Sequence, residues 1–132
     1  MVAQLLAMVA VTFVVMTIMF LSRVHSVRTQ AVKISYYGLF QGNAPDYVEK
    51  ATRHFANMFQ MPVLFYAAMV LCIAVGLATP ALSLLAWLYV AARSVHAIIH
   101  LTYNNVTHRL AVFAAGNVCL LGLWIIVGAN LI

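Results

Sequence analysis

Acid is the first thing this chain lacks. Asp46 and Glu49 are the only carboxylates in its 132 residues, against seven lysines and arginines, and charged residues together make up 7% of the total. Soluble domains carry roughly a quarter of their residues as charge, so a water-facing globule is excluded. Cysteine is scarce too: Cys72 and Cys119 are the only two, each among apolar neighbours. They read as small buried hydrophobes, which argues against a disulfide framework or a reactive thiolate. The basic residues are few and lie at the ends of apolar runs, which excludes a nucleic-acid-binding face. No internal repeat, linker or second domain interrupts the chain, so residues 1–132 read as one domain.

What is present in excess is apolar sequence, at 66% of residues. It falls into runs of about 20 residues, the length a helix needs to cross a bilayer core. The pattern predicts an all-α integral membrane protein, a four-helix bundle running up and down. Val2 to Leu21 is the first span, with no basic residue before it and no small-residue cleavage site after it, so a removable signal peptide is not expected. Ser22 to Tyr47 forms a polar connection, with turn residues at Gly42-Asn43-Ala44-Pro45. Asp46 and Glu49 mark a helix start with acid in its first turn. The second span is expected to continue to about Leu77, kinked at Pro62. Gly76 to Pro80 is a tight turn, Ala81 to Thr102 the third span, Tyr103 to Thr107 a loop, and His108 onward the fourth span.

Arg23, Arg28, Lys33, Lys50, Arg53, Arg93 and Arg109 all lie in or beside the first and third connections. By the positive-inside rule those two loops face the cytoplasm and both termini face away. On that side the Asn105-Val106-Thr107 glycosylation pattern is idle. A compact chain without a targeting segment suits a bacterial inner membrane, with periplasmic termini.

Two polar rows break the apolar pattern. Arg53, Asn57 and Gln60 stand at helical spacing just before the long run of the second span, and Tyr89, Arg93, His96, His100 and Tyr103 share one face of the third. Lipid satisfies none of these groups, so they must meet a neighbouring helix, a ligand or both. Counting about 1.5 Å per residue from the Gly76–Pro80 turn places Gln60 and His96 each roughly 24 Å away. Asn57 and His100 fall at about 28 and 30 Å. The two rows thus meet at one height and close a polar pocket in the cytoplasmic leaflet, with Lys50, Arg53 and Arg109 at its mouth. Cations without carboxylates favour a small anionic ligand, and arginine forks suit carboxylates.

These residues resemble the MAPEG family, the microsomal glutathione transferases and their eicosanoid-pathway relatives. The resemblance is carried by Arg53-x-x-x-Asn57-x-x-Gln60-x-Pro62, by Arg93-x-x-His96-x-x-x-His100, and by Arg109 nine residues later, and it extends over nearly the whole chain. It implies a four-helix protomer assembled as a homotrimer, with glutathione as co-substrate bound between subunits near the cytoplasmic face. It further implies that Arg53, Asn57, Gln60, Arg93, His96 and His100 hold the tripeptide, with Lys50 and Tyr103 alongside, and that Arg109 stabilises its thiolate. A guanidinium beside a thiol that is mostly protonated at neutral pH favours the nucleophilic form. Gln60 departs from the glutamate usual in the family's enzymes, and His100 from a common tyrosine.

The expected function is therefore glutathione transfer to, or reduction of, a lipophilic electrophile dissolved in the bilayer. The alternative is a non-catalytic lipid or small-anion binding protein of the same fold. A haem or metal bundle has less support, because no carboxylate or thiolate stands level with His96 and His100, and His54 is the one plausible third imidazole. Lys50 and Arg53 also suit simple snorkelling to headgroups. Helix four carries a strip of small residues, Ala111, Ala115, Gly122 and Ala129, that lets helices approach closely in lipid. Two polar rows are too few to enclose a tripeptide, so a homo-oligomer is expected.

Overall fold

The computed structural model describes residues 1–131. They form six helices: α1 (Val2–Arg28), α2 (Tyr36–Leu39), α3 (Asp46–Asn57), α4 (Met61–Ala74), α5 (Pro80–Leu101) and α6 (Val106–Leu131), with no strand among the described residues. Four lengths can cross a bilayer: α1, α3 with α4, α5, and α6. The protein is an integral, multi-pass membrane helical bundle, as its apolar runs require.

The ends of the spans follow from local chemistry. Pro45 precedes α3, and Asp46 and Glu49 sit in its first turn, where acid suits the positive helix end. At the far end of α4, Leu77 N–H donates to the Cys72 carbonyl and Gly76 N–H to that of Ile73. This paired closure needs a left-handed residue after the helix, and Gly76 supplies it at φ 69°. The Thr79 hydroxyl then accepts from Leu82 N–H and Pro80 opens α5, so a short, closed turn joins α4 to α5.

The second span departs from expectation. Instead of one helix kinked at Pro62, α3 ends at Asn57 and α4 begins at Met61, with Met58, Phe59 and Gln60 in an irregular break. Pro62 lies in the first turn of a new helix, where its missing N–H has no helical partner to lose. The first connection also holds one short helical turn, α2, too brief for periodicity to announce.

Met8, Phe65, Met69, Leu82, Tyr89 and Leu123 are sealed in the core. Phe65 and Tyr89 stack with centroids 4.7 Å apart. α5 and α6 pack closest, because Gly116 leaves room for Ala92; a Cβ on that glycine would lie 3.3 Å from the Ala92 methyl. Of the small residues on α6, Gly122 also faces α5, at Leu85, while Ala111, Ala115 and Ala129 are exposed. Hydrogen bonds tie α1 to the rest: Gln4 Nε2 to Ser83 Oγ at 2.8 Å, Thr12 to the Tyr66 hydroxyl at 2.8 Å, and Arg23 to Thr52 at 3.3 Å. In lipid such bonds, with close packing, hold helices together.

Candidate functional site

Arg93 organises the loop-side half of the bundle. It lies on α5, 1% exposed, and its Nη2 donates to the backbone carbonyl of Asn57 at 3.1 Å. That carbonyl belongs to the last residue of α3 and otherwise accepts only a long bond, 3.4 Å, from Gln60 N–H across the helix break. The guanidinium therefore caps a helix from the neighbouring span. It also touches Met58 Sδ at 3.9 Å and lies over the Phe113 ring, 5.7 Å from its centroid. Arg93 thus meets the neighbouring span at the Asn57 main chain. Arg93 Nε and Nη1 have no hydrogen-bond partner among the described residues.

Two recesses open on the loop side of the bundle, and Arg93 lines neither. The inner one, about 260 Å³, is lined by Asn57, Gln60, His96, Val106, Arg109, Leu110 and Phe113. The outer one, about 190 Å³, is lined by Asp46, Glu49, Lys50, Arg53, His100, Asn104 and Arg109. Arg109 borders both. It sits in the first turn of α6, and its Nη1 donates to the Asn104 side-chain carbonyl at 2.8 Å. Asn104 can take that position because it adopts the left-handed region at φ 51°, which asparagine tolerates.

The structure divides the two polar rows between two recesses instead of one pocket, and Tyr89, sealed in the core, lines neither. Asn57, Gln60 and His96 share the inner recess, whereas Lys50, Arg53 and His100 belong to the outer one. Arg53 is not buried: its side chain is 75% exposed and pairs with Glu49 at 2.9 Å. With Asp46 beside this pair, both of the chain's acids stand at the mouth, which carries mixed charge rather than being uniformly basic. Tyr103 lies outside both recesses. The helix ends at Leu101, so Tyr103 leaves the α5 face, is 60% exposed, and bonds His108 Nδ1 at 3.1 Å.

His54 is the residue that sequence reasoning placed only as a spare imidazole. It is fully buried, with its ring 5.5 Å from that of His96 and 4.8 Å from that of His100, centroid to centroid. The signal was available: Lys50, His54 and Asn57 follow one helical face. No group of three or more histidine, cysteine or acidic side chains among the described residues is arranged to hold a metal ion. Arg93 and Arg109 flank the imidazoles, a poor setting for a cation.

The arrangement can bind an anion that reaches from the polar mouth, past Arg109, to an apolar wall of Val106, Leu110 and Phe113. Each recess alone is below the roughly 300 Å³ at which small-molecule pockets usually begin. Among known proteins, no curated sequence and no solved structure matches significantly. The family comparison does match, over residues 5–129, which is nearly the full length and includes both polar rows and Arg109. This chain belongs to the MAPEG family.

Proposed function

We propose that the protein is a glutathione transferase or peroxidase acting on lipophilic electrophiles at the cytoplasmic leaflet of a bacterial inner membrane. Its family consists of membrane proteins of glutathione transfer and eicosanoid synthesis, whose members generally use glutathione. One observation carries the reading: Arg109 stands between a polar mouth and an apolar, membrane-level recess. A hydrophilic thiol held by the mouth would present its sulfur to Arg109, and an electrophile would arrive along Val106, Leu110 and Phe113. Glutathione fits the donors present. The His96 ring and Arg109 Nε, both at the inner recess, lack partners among the described residues, and a ligand rich in carboxylates and carbonyls supplies acceptors for their N–H groups.

In this reading Lys50, Arg53 and His100 grip the outer part of the tripeptide, while Asn57, Gln60 and His96 hold the inner part and Arg93, which lines neither recess, acts from behind them by fixing the Asn57 main chain. Arg109 favours the thiolate through its charge. The small size of each recess supports a site completed by a neighbouring copy, and a homotrimer is the assembly proposed. The basic residues of the first and third connections support a cytoplasmic mouth and periplasmic termini.

Purified protein given glutathione and an aryl halide is expected to form the conjugate, and Arg109→Ala to lower turnover by roughly 10²-fold or more. Glutathione binding without turnover would reject the catalytic reading. It would leave the second one, a non-catalytic binder of the same fold, which the neutral Gln60 in the inner recess favours.

A further inference from the structure

Making a thiolate in a membrane-level recess leaves a proton to remove. Arg109 borders both recesses, but a guanidinium stays protonated in proteins and cannot take it. Imidazole can both accept and donate. His96 lines the inner recess and His100 the outer one, while His54 lines neither and sits against both. The direct separation of the His96 and His100 rings is the longest of the three, at 5.9 Å. All three rings are at least 96% buried, at 4%, 2% and 0% exposed for His96, His100 and His54. Both nitrogens of His54, both of His96 and Nδ1 of His100 have no hydrogen-bond partner among the described residues. Buried polar atoms are normally paired with protein or water; no direct hydrogen bond joins these rings among the described residues, and their separations are of the size that one bridging water spans.

We infer that His96, His54 and His100 form a proton relay from the inner recess to the mouth, an inference that rests on the glutathione reading above. The thiol S–H bond breaks, its electron pair stays on sulfur, and the proton forms a new N–H bond on His96. His96 gives up a proton toward His54, His54 toward His100, and His100 releases one to water at the mouth. The net change is one thiol converted to thiolate and one proton delivered to the cytoplasmic side. The charged groups around this path are Lys50 and Arg53 of α3, Arg93 of α5 and Arg109 of α6, with Asp46 and Glu49 at the exit. Those two carboxylates are the only acids in the chain, and they stand where the proton leaves.

His54 is the position to test, because it borders no recess and so does not touch the bound tripeptide. It is a positioning and relay residue rather than a ligand contact. Wild type and His54→Gln, reconstituted in nanodiscs, are mixed rapidly with glutathione. Equilibrium binding, ultraviolet absorbance of the bound thiolate, and proton release to an indicator dye are followed together. The relay requires His54→Gln to keep the affinity within about twofold while thiolate formation and proton release slow together by roughly tenfold or more. Added free imidazole is expected to restore part of the rate. Unchanged rates in a variant that binds normally would overturn the relay and leave the transferase reading intact. Should His54→Gln fail to fold, the wild type decides by itself: a solvent deuterium isotope effect on thiolate formation that requires more than one proton in flight supports the relay, and a single-proton dependence overturns it. A wild type that binds no glutathione would reject the transferase reading, and the relay with it.

Discussion

The two ends of this bundle solve opposite problems. At the turn side, around Met69, Cys72, Leu82, Ala86 and Leu123, side chains are apolar and sealed, and the backbone ends are closed by Gly76 and Thr79. At the loop side, Arg93, His54, His96 and His100 are sealed just as tightly but keep several nitrogens without partners among the described residues. Polar groups left unpaired in a low-dielectric interior cost free energy. One half is therefore organised for packing, and the other tolerates instability in order to present donors.

Substituting Arg93 is the strongest way to break that comparison. Arg93→Met keeps a long side chain and removes the charge, along with the bond to the Asn57 carbonyl. The lost bond costs about 1.5–3 kcal/mol, whereas a buried charge without a counterion carries a penalty of several kcal/mol. Stability in detergent, followed by thermal unfolding, is expected to hold or rise, while glutathione affinity falls by roughly 10²-fold with the loss of the positive charge behind the inner recess and of the bond that positions Asn57. A variant that unfolds early would show the arginine to be structural instead.

Leu82→Ala is the counterpart at the turn side and carries the opposite sign. Leu82 is fully buried, so the truncation leaves a cavity. The expected cost is about 2 kcal/mol, the low end for leucine truncation, because an unfolded span still sits in lipid and only packing is lost. Thermal unfolding should register the drop, and glutathione affinity in the folded fraction should stay as it was.

Much of this division was legible in the sequence, for a physical reason. Apolar run length, the Gly76–Pro80 punctuation and the helical spacing of the polar residues are all local patterns. Their product, four apolar spans, follows from counting, whereas Asn57 and His100, counted to nearly one height, line different recesses. What escaped is non-local. A proline in the first turn of a helix and a proline at a kink look alike in sequence, and the partner that the Asn57 carbonyl finds at the Met58–Gln60 break, Arg93, comes from another helix. Spacing alone puts Tyr103 on the α5 face, but the helix ends at Leu101 and the left-handed Asn104 lies just beyond it.

Gln60→Glu sharpens the loop-side account with a smaller change. Gln60 precedes α4 and lines the inner recess. A carboxylate there gains from the positive end of α4, by about 0.3–1 kcal/mol, so the fold should not suffer. It also supplies the one acceptor charge that the recess lacks. Glutathione affinity measured by calorimetry is expected to rise by roughly tenfold, equivalent to about 1.4 kcal/mol. An unchanged affinity would favour a ligand without an amino group at that position.

The smallest effect is expected at Tyr103. Its hydroxyl bonds His108 on the surface, outside both recesses. An exposed hydrogen bond of this kind contributes at most about 1 kcal/mol. Tyr103→Phe should leave glutathione affinity and turnover within about twofold, a difference of roughly 0.4 kcal/mol. A large loss on removing this hydroxyl would mean that Tyr103 reaches a ligand after all. Because each recess of one protomer is small and Tyr103 faces outward, the ligand would then have to lie against a neighbouring copy. The same titration that checks the weakest contact on this face therefore also tests whether the site is shared between subunits.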